Sequence, residues 1–218
     1  MLRMKRQAGF TLIELMIALL LGLIVTAIAI SMYVSTLGIT RQTVTSVRLS
    51  QEMRTVMDMM VRDIRRSGYW AGGSLTGNPH AAVVSGGLPV NVFTSPKSSD
   101  SDSCVVLSYD YDADGAATIE HLMGYRMDDA QGAVEVLWAS SSTLTGDVDC
   151  SVLPSNWQNL TDNSTTVITQ LLFQRLPSAA SFASAAARSI RITLRGESSS
   201  DDRLVKELIE EVRVRNDI

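Results

Sequence analysis

The chain has 218 residues, 45% of them hydrophobic and 19% charged, and a formal net charge of −4. An acidic balance argues against a nucleic-acid partner, because neutralising phosphates needs clustered Lys and Arg. Two histidines 41 residues apart, His80 and His121, with no Gly-x-Ser-x-Gly elbow and no phosphate-cradling glycine loop, leave nucleophilic and phosphoryl chemistry without its parts, so no enzyme is expected.

The first nine residues carry Arg3, Lys5 and Arg6 and end in the small pair Ala8-Gly9; an apolar stretch from Phe10 to Tyr33 follows. Basic residues before an apolar segment are an export and orientation signal, with the charges held in the cytoplasm. An ordinary secretory signal puts its small cleavage residues after the apolar core. Here they precede it, so a cut at that point leaves the segment on the mature protein. The 24 residues from Phe10 to Tyr33 make about 36 Å of helix, enough to cross a hydrocarbon core of about 30 Å. Glu14 lies one turn into this segment, where a carboxylate costs about 2.5–3.5 kcal/mol on insertion scales and calls for a functional reading. A plain signal peptide or single-pass anchor leaves that residue unexplained.

Gly9-Phe10-Thr11-Leu12-Ile13-Glu14-Leu15 resembles the type III signal of type IV pilins and type II secretion pseudopilins. The resemblance implies that a prepilin peptidase cuts between Gly9 and Phe10 and methylates the new amine of Phe10. Residues 1–9 would then be a cleaved cytoplasmic leader, and the mature chain would carry −7. It also implies that Glu14 meets the Phe10 amine of a neighbouring subunit in a fibre. Within one subunit the two residues are four apart on one expected helix, near enough for an internal pair.

Residues 10–33 form the apolar half of that helix and residues 34–66 an amphipathic half. Leu49, Met53, Val56, Met57, Met60 and Ile64 draw one apolar stripe, which predicts packing against the chain's own sheet. Arg48, Glu52, Arg54, Asp58, Arg62 and Arg65 fill much of the rest. Arg62, Arg65 and Arg66 suit a helix C-terminus, and Gly68 is a stop. No proline interrupts the run from Phe10 to Ser67.

Residues 67–218 read as one β-rich domain large enough for a hydrophobic core. Tyr69 to Pro96 is expected as a long, poorly ordered connection with one short strand near Ala82–Val84. Strands are expected at Cys104–Tyr109, His121–Met127, Ala133–Ala139, Thr165–Arg175 and Ser189–Arg195, the last alternating Ile190, Ile192 and Leu194 with polar residues. Leu204 to Arg215 is a further strand, paired with Ser189–Arg195 across a turn at Gly196–Arg203. Consecutive antiparallel strands give an α+β fold: a long N-terminal helix packed on an antiparallel sheet. Arg62-Asp63-Ile64-Arg65-Arg66-Ser67-Gly68-Tyr69 resembles the segment that ends the long helix in PilW-type minor pilins and J-type pseudopilins. Glu211-Val212-Arg213-Val214-Arg215-Asn216 resembles the terminal PilW strand. The resemblance departs after Gly68-Tyr69, where PilW proteins often carry a cysteine and this chain has Trp70-Ala71-Gly72-Gly73.

Cys104 and Cys150 both lie beyond the export segment, and an isolated pair with no histidine at ligand spacing points to a disulfide rather than a metal site. Asp110-Tyr111-Asp112-Ala113-Asp114-Gly115 has the spacing that opens an EF-hand-like calcium loop. The rest of that pattern fails, with His121 at the twelfth position and Glu120 one place early. A solvated turn between strands is the expected reading, so no cofactor is expected, with calcium at Asp110, Asp112 and Asp114 as the alternative. Ser140-Ser141-Ser142 is a loop.

The pilin resemblance implies a minor pilin of the bacterial inner membrane, its C-terminal domain in the periplasm, that helps start or cap a type IV pilus. Its partners would be the prepilin peptidase, the inner-membrane assembly platform, other minor pilins and the major pilin. A J-like pseudopilin of a type II secretion system is the alternative within that class. An adhesin or binding module carried on the fibre is the alternative outside it, using the loop Trp70–Ser103 and its Ser98–Ser103 stretch.

Overall fold

The computed structural model describes residues 9–72, 78–82, 90–115, 122–139, 150, 157–176 and 189–215. The expected strand residues 83 and 84, together with Glu120, His121, Ser140–Ser142 and Asn216, lie outside them. The chain divides into two compact units, Met1–Val44 and Thr45–Ile218.

Helix α1 runs from Leu12 to Arg66. Within the first unit no residue from Gly9 to Val44 is buried, although α1 is long and apolar enough to cross a membrane. Thr26, within residues 10–33, is compatible with lipid because its hydroxyl donates to the Gly22 carbonyl at 2.5 Å, and threonines further along are satisfied in the same way. Thr36 donates to the Met32 carbonyl, Thr40 to that of Thr36 and Thr43 to that of Ile39, each at 2.9 Å.

In the second unit α1 turns one-sided, as its sequence stripe requires. Leu49, Met53, Val56, Met57, Met60 and Ile64 are all buried, in one core with residues of both sheets. The first sheet is a five-stranded antiparallel meander in the order β1 (Val90–Phe93), β2 (Cys104–Ser108), β3 (Leu122–Asp128), β4 (Ala133–Ala139) and β5 (Gln158–Asn159). The second has three antiparallel strands, β6 (Thr166–Leu176), β7 (Ser189–Ser198) and β8 (Asp201–Arg213). Strand β2 is buried on both faces: Val105 and Leu107 join the helix-side core, while Cys104 and Val106 enter a second cluster with Leu122, Leu137 and Cys150. Its unbroken apolar run, rather than an alternating one, is the sequence mark of that double cover. Strand β7 alternates instead, with Ile190, Ile192 and Leu194 buried and Arg191 and Arg195 exposed. Close approach of the helix depends on Gly196, where a Cβ would stand 3.4 Å from Met53 Sδ and 3.2 Å from Ile168 Cδ1.

The α+β architecture of one long helix and antiparallel strands is as the sequence reads, with local corrections. The strands form two sheets rather than one. Ala82 closes a short helix, α2 (Pro79–Ala82), where a strand was expected. Asn78 Oδ1 accepts the His80 N–H at 2.9 Å and Pro79 takes the first helical position, which makes Asn-Pro a helix start. The connection after Tyr69 also contains β1, which pairs with β2 from Val90↔Leu107 to Phe93↔Cys104. The β7–β8 hairpin turns at Ser199-Ser200, later and tighter than the expected Gly196–Arg203, because β7 continues through Gly196 to Ser198 and a register shift beside it takes up residues 202–204.

Candidate functional site

The residues singled out at the N-terminus occupy an exposed junction. Gly9 and Phe10 lie outside α1, and Phe10 is 82% exposed. Thr11 caps the helix: its Oγ1 accepts the Glu14 N–H at 3.3 Å, and its carbonyl accepts the Leu15 N–H at 3.2 Å. Thr11-Leu12-Ile13-Glu14 therefore has the spacing of a capping box, with Glu14 at the third helical position, beside the positive end of the helix dipole. This corrects the expectation that Phe10 and Glu14 share one helix. The cap starts the helix at Leu12 and leaves Phe10 outside it in the uncleaved chain, where Phe10 has no free amine. The Gly9–Phe10 bond is instead an exposed, non-helical peptide.

At the other end of α1, Asp63 is 3% exposed, and the sequence names it only within the PilW-like segment Arg62–Tyr69. Tyr109, just past β2, donates its hydroxyl to Asp63 Oδ1 at 3.1 Å, and the Tyr125 hydroxyl of β3 donates to Oδ2. Arg62 Nε lies 3.8 Å from Oδ1. Burial first, and then the Asp63 charge and its hydrogen bond, push the Tyr109 hydroxyl up to about 12 and drive that of Tyr125 higher still. Two phenols and one carboxylate thus fasten the last turns of the helix to the first sheet. Glu52 does the same for the second sheet. Its carboxylate accepts the Asp162 N–H at 2.7 Å and the Thr166 hydroxyl at 2.6 Å, although the sequence placed it on the polar remainder of the helix. Glu52 flanks the Met53–Val56 stripe, and a flanking carboxylate is not distinguishable from a solvated one by spacing alone.

Cys104 and Cys150 are joined in a disulfide with a Cα–Cα distance of 6.6 Å. Both are buried, with Phe93 and Trp157 packed against their cluster. On the neighbouring strands Arg126 Nε donates to Glu135 at 2.5 Å beneath Trp157, whose ring centre is 4.2 Å from the guanidinium carbon. Lys97 Nζ bonds Asp128 at 2.8 Å and Glu135 at 3.4 Å, and the Asp128 hydrogen bond leads in raising the lysine pKa.

The structure brings one ligand oxygen each of Asp110, Asp112 and Asp114 within 4.8 Å of one another. Asp112 and Asp114 are exposed, but Asp110 is buried, which departs from the solvated turn that the sequence suggested. Burial opposes the Asp110 charge, yet N–H donors from Ala71, Gly115, Ala113 and Asp114 together outweigh it and lower the carboxyl pKa. The bonds from Ala71 and Gly115 both fall on Oδ2, at 3.1 Å each. Gly115 has φ +72°, the left-handed backbone that lets its N–H fold back onto that oxygen. Asp110 also donates its own N–H to the Tyr69 carbonyl at 2.9 Å, and so ties the segment leaving α1 to the end of β2. A calcium ion takes 6–8 oxygens, and here one carboxylate oxygen is already bound to backbone donors.

The Ser98–Ser103 stretch, which the binding-module alternative would use, is held by its own side chains and by the end of β3. Ser103 Oγ accepts the Ser95 N–H at 3.0 Å and donates to the Asp100 carbonyl at 2.7 Å; Ser95 Oγ donates to the Met127 carbonyl at 2.7 Å. Ser99 gives its N–H to Asp129 at 2.6 Å.

Residues 42–214 match a family model described as prepilin peptidase-dependent protein B, and residues 4–30 match the prokaryotic N-terminal methylation motif. The chain belongs to the prepilin peptidase-dependent protein B family. No curated protein and no solved structure gives a significant match. Membership makes the chain a processed, type IV pilin-like protein that depends on the prepilin peptidase, in a structural rather than an enzymatic family. The likeness to the PilW group remains a likeness. An N-terminal apolar helix behind a methylation motif suits an inner-membrane anchor that carries a C-terminal domain.

Proposed function

We propose that this protein is a minor pilin that is cut between Gly9 and Phe10, methylated on the Phe10 amine, held in the inner membrane by residues 10–33 and drawn from there into a type IV pilus, where it helps prime or cap the fibre at its tip. The observation that carries the reading is the junction at Thr11. An exposed, non-helical Gly9–Phe10 peptide stands directly before a capped helix whose next 33 residues bury nothing. An apolar helix without cover needs lipid or other helices around it. Residues 67–218 would face the periplasm, joined to the helix through Asp63 and Asp110.

Glu14 is the assembly residue in this reading. Cleavage creates an amine on Phe10 with an ordinary pKa of about 7.7–8.0, a cation at neutral pH, and a carboxylate in an apolar bundle needs one. In a pilin-like fibre the partner for Glu14 is the Phe10 amine of a neighbouring subunit, a contact that sets axial register. Breaking such a buried pair leaves one charge uncompensated, at about 3–5 kcal/mol. In a deletion strain Glu14→Ala should be cleaved and inserted but fail to restore piliation, with Glu14→Asp intermediate. Piliation equal to wild type from Glu14→Ala would reduce the residue to a recognition element for the peptidase. The same reading treats Asp110, Asp112 and Asp114 as a structural turn that needs no calcium.

A further inference from the structure

Opposite the buried stripe, the last turns of α1, Tyr69 and Arg215 line a groove of about 660 Å³. Arg62, Arg65, Arg66 and Arg215 all face it, against a single carboxylate, Asp58. For a chain of net charge −4 this is a strong local inversion of sign. Two of the arginines have structural duties: Arg62 lies beside Asp63, and Arg66 bonds the Tyr109 hydroxyl. Arg65 and Arg215 enter no salt bridge among the described residues. Tyr69, 41% exposed, and Val61 supply an apolar floor between the charges.

Like charges gathered on one face repel, and the helix C-terminus offsets only part of that through its dipole. A groove built this way is stabilised by an anion. From Asp58 to Arg66 the helix advances about 12 Å at 1.5 Å per residue, the length of three to four residues of extended chain at about 3.3 Å each. Alternate side chains on an extended strand stand about 6.6 Å apart on one face, comparable with the step of about 4.5–6 Å from Arg62 to Arg65 and Arg66. Guanidinium groups bind carboxylates through paired N–H donors. A compact phosphate would engage one or two of these arginines and leave Tyr69 and Val61 unused; a peptide uses both the charges and the floor.

We infer that this groove is a docking site for an acidic, extended segment of a neighbouring pilin-like subunit, one that presents carboxylates to Arg65 and Arg215. The identity of the partner rests on the assembly reading above; the chemistry of the groove does not.

Two experiments on the full-length protein test the inference. In detergent, a fluorescein-labelled hexapeptide of alternating Glu and Ser should bind, and a Lys/Ser hexapeptide should not. Binding should weaken about tenfold or more between low and high salt, as screened charge pairs do. It should be lost in Arg65→Glu/Arg215→Glu and retained in Arg195→Glu/Arg203→Glu, which changes net charge equally away from the groove. The milder Arg65→Gln/Arg215→Gln pair guards against misfolding, its far-ultraviolet spectrum matching wild type while peptide affinity falls. Peptide binding indifferent to both groove pairs overturns the inference, as does displacement of the peptide by equimolar inorganic phosphate. In cells, p-benzoylphenylalanine incorporated at Tyr69 should capture an acidic segment of another pilin-like subunit. Adducts confined to lipid overturn the proposed partner. If wild type binds the peptide but is absent from sheared pili, the assembly reading fails and the groove stands. If wild type is in pili, and both variant pairs enter them equally and bind no more weakly, the groove fails and the assembly reading stands.

Discussion

Removing the Tyr125 hydroxyl isolates the joint between the helix and the first sheet. Asp63 is buried and its two oxygens are met by two phenols, Tyr109 at Oδ1 and Tyr125 at Oδ2. Tyr125→Phe keeps the ring in the core and deletes one donor to a charged acceptor, a bond of about 1.5–3 kcal/mol. For a unit of this size each kcal/mol lowers Tm by about 2–4 °C, so a fall of about 3–12 °C is expected. Asp63→Ala takes the acceptor from both phenols and should cost more, about 3–5 kcal/mol. The double variant should lose less than the two singles together, because both changes remove the same bond. The assay is thermal unfolding of the full-length protein in detergent, followed by near-ultraviolet circular dichroism, which reports the tyrosine environment. A Tyr125→Phe protein within about 0.5 kcal/mol of wild type, with additive singles, would refute the joint.

Three other outcomes follow from the same structure. The Cys104–Cys150 bond closes a sequence separation of 46 residues, worth about 4 kcal/mol by chain entropy, so reduction should lower Tm markedly and free thiols titrated on the unreduced protein would contradict it. Tyr109 titrates near 12 in the folded chain against an ordinary value near 10, so its contribution is complete below about pH 10 and is lost as pH rises through about 12. Tyr109→Phe should lack that part of the alkaline transition, and an unchanged transition would contradict the assignment. A chelator should leave Tm unchanged at millimolar calcium; a calcium-dependent rise that disappears on changing Asp110, Asp112 and Asp114 to Asn would make the acidic turn a metal site.

Much of this was legible in the chain because it rests on period and punctuation. The stripe from Leu49 to Ile64 foretold the buried face of α1, and the alternation of Ile190, Ile192 and Leu194 foretold one-sided β7. Strand β4 is bounded as read, from Ala133 to Ala139. What escaped was set by contacts distant in sequence. Asp63 reads as one more charge until Tyr109 and Tyr125 arrive from 46 and 62 residues away. Glu52 is likewise defined by a loop more than a hundred residues on. The split into two sheets leaves no mark on the separate strands, since each looks the same whichever neighbour it pairs with. Some signals were present and unused: Thr11-x-x-Glu14 is a capping box, and it moves the helix start past Phe10; Asn78-Pro79 is a helix start. At Gly9-Phe10 the signal lay in the residues themselves, and the structure added the exposed, non-helical state of the bond between them.

The proposed function requires that this chain be cut at that bond and carried into a fibre. Mass spectrometry of the protein recovered from sheared pili decides between the alternatives. A mature chain that begins with N-methylated Phe10 is expected, and a Gly9→Val variant that stays in the inner membrane at full length. Protein in sheared pili that still begins at Met1, or Gly9→Val entering pili as wild type does, would contradict it.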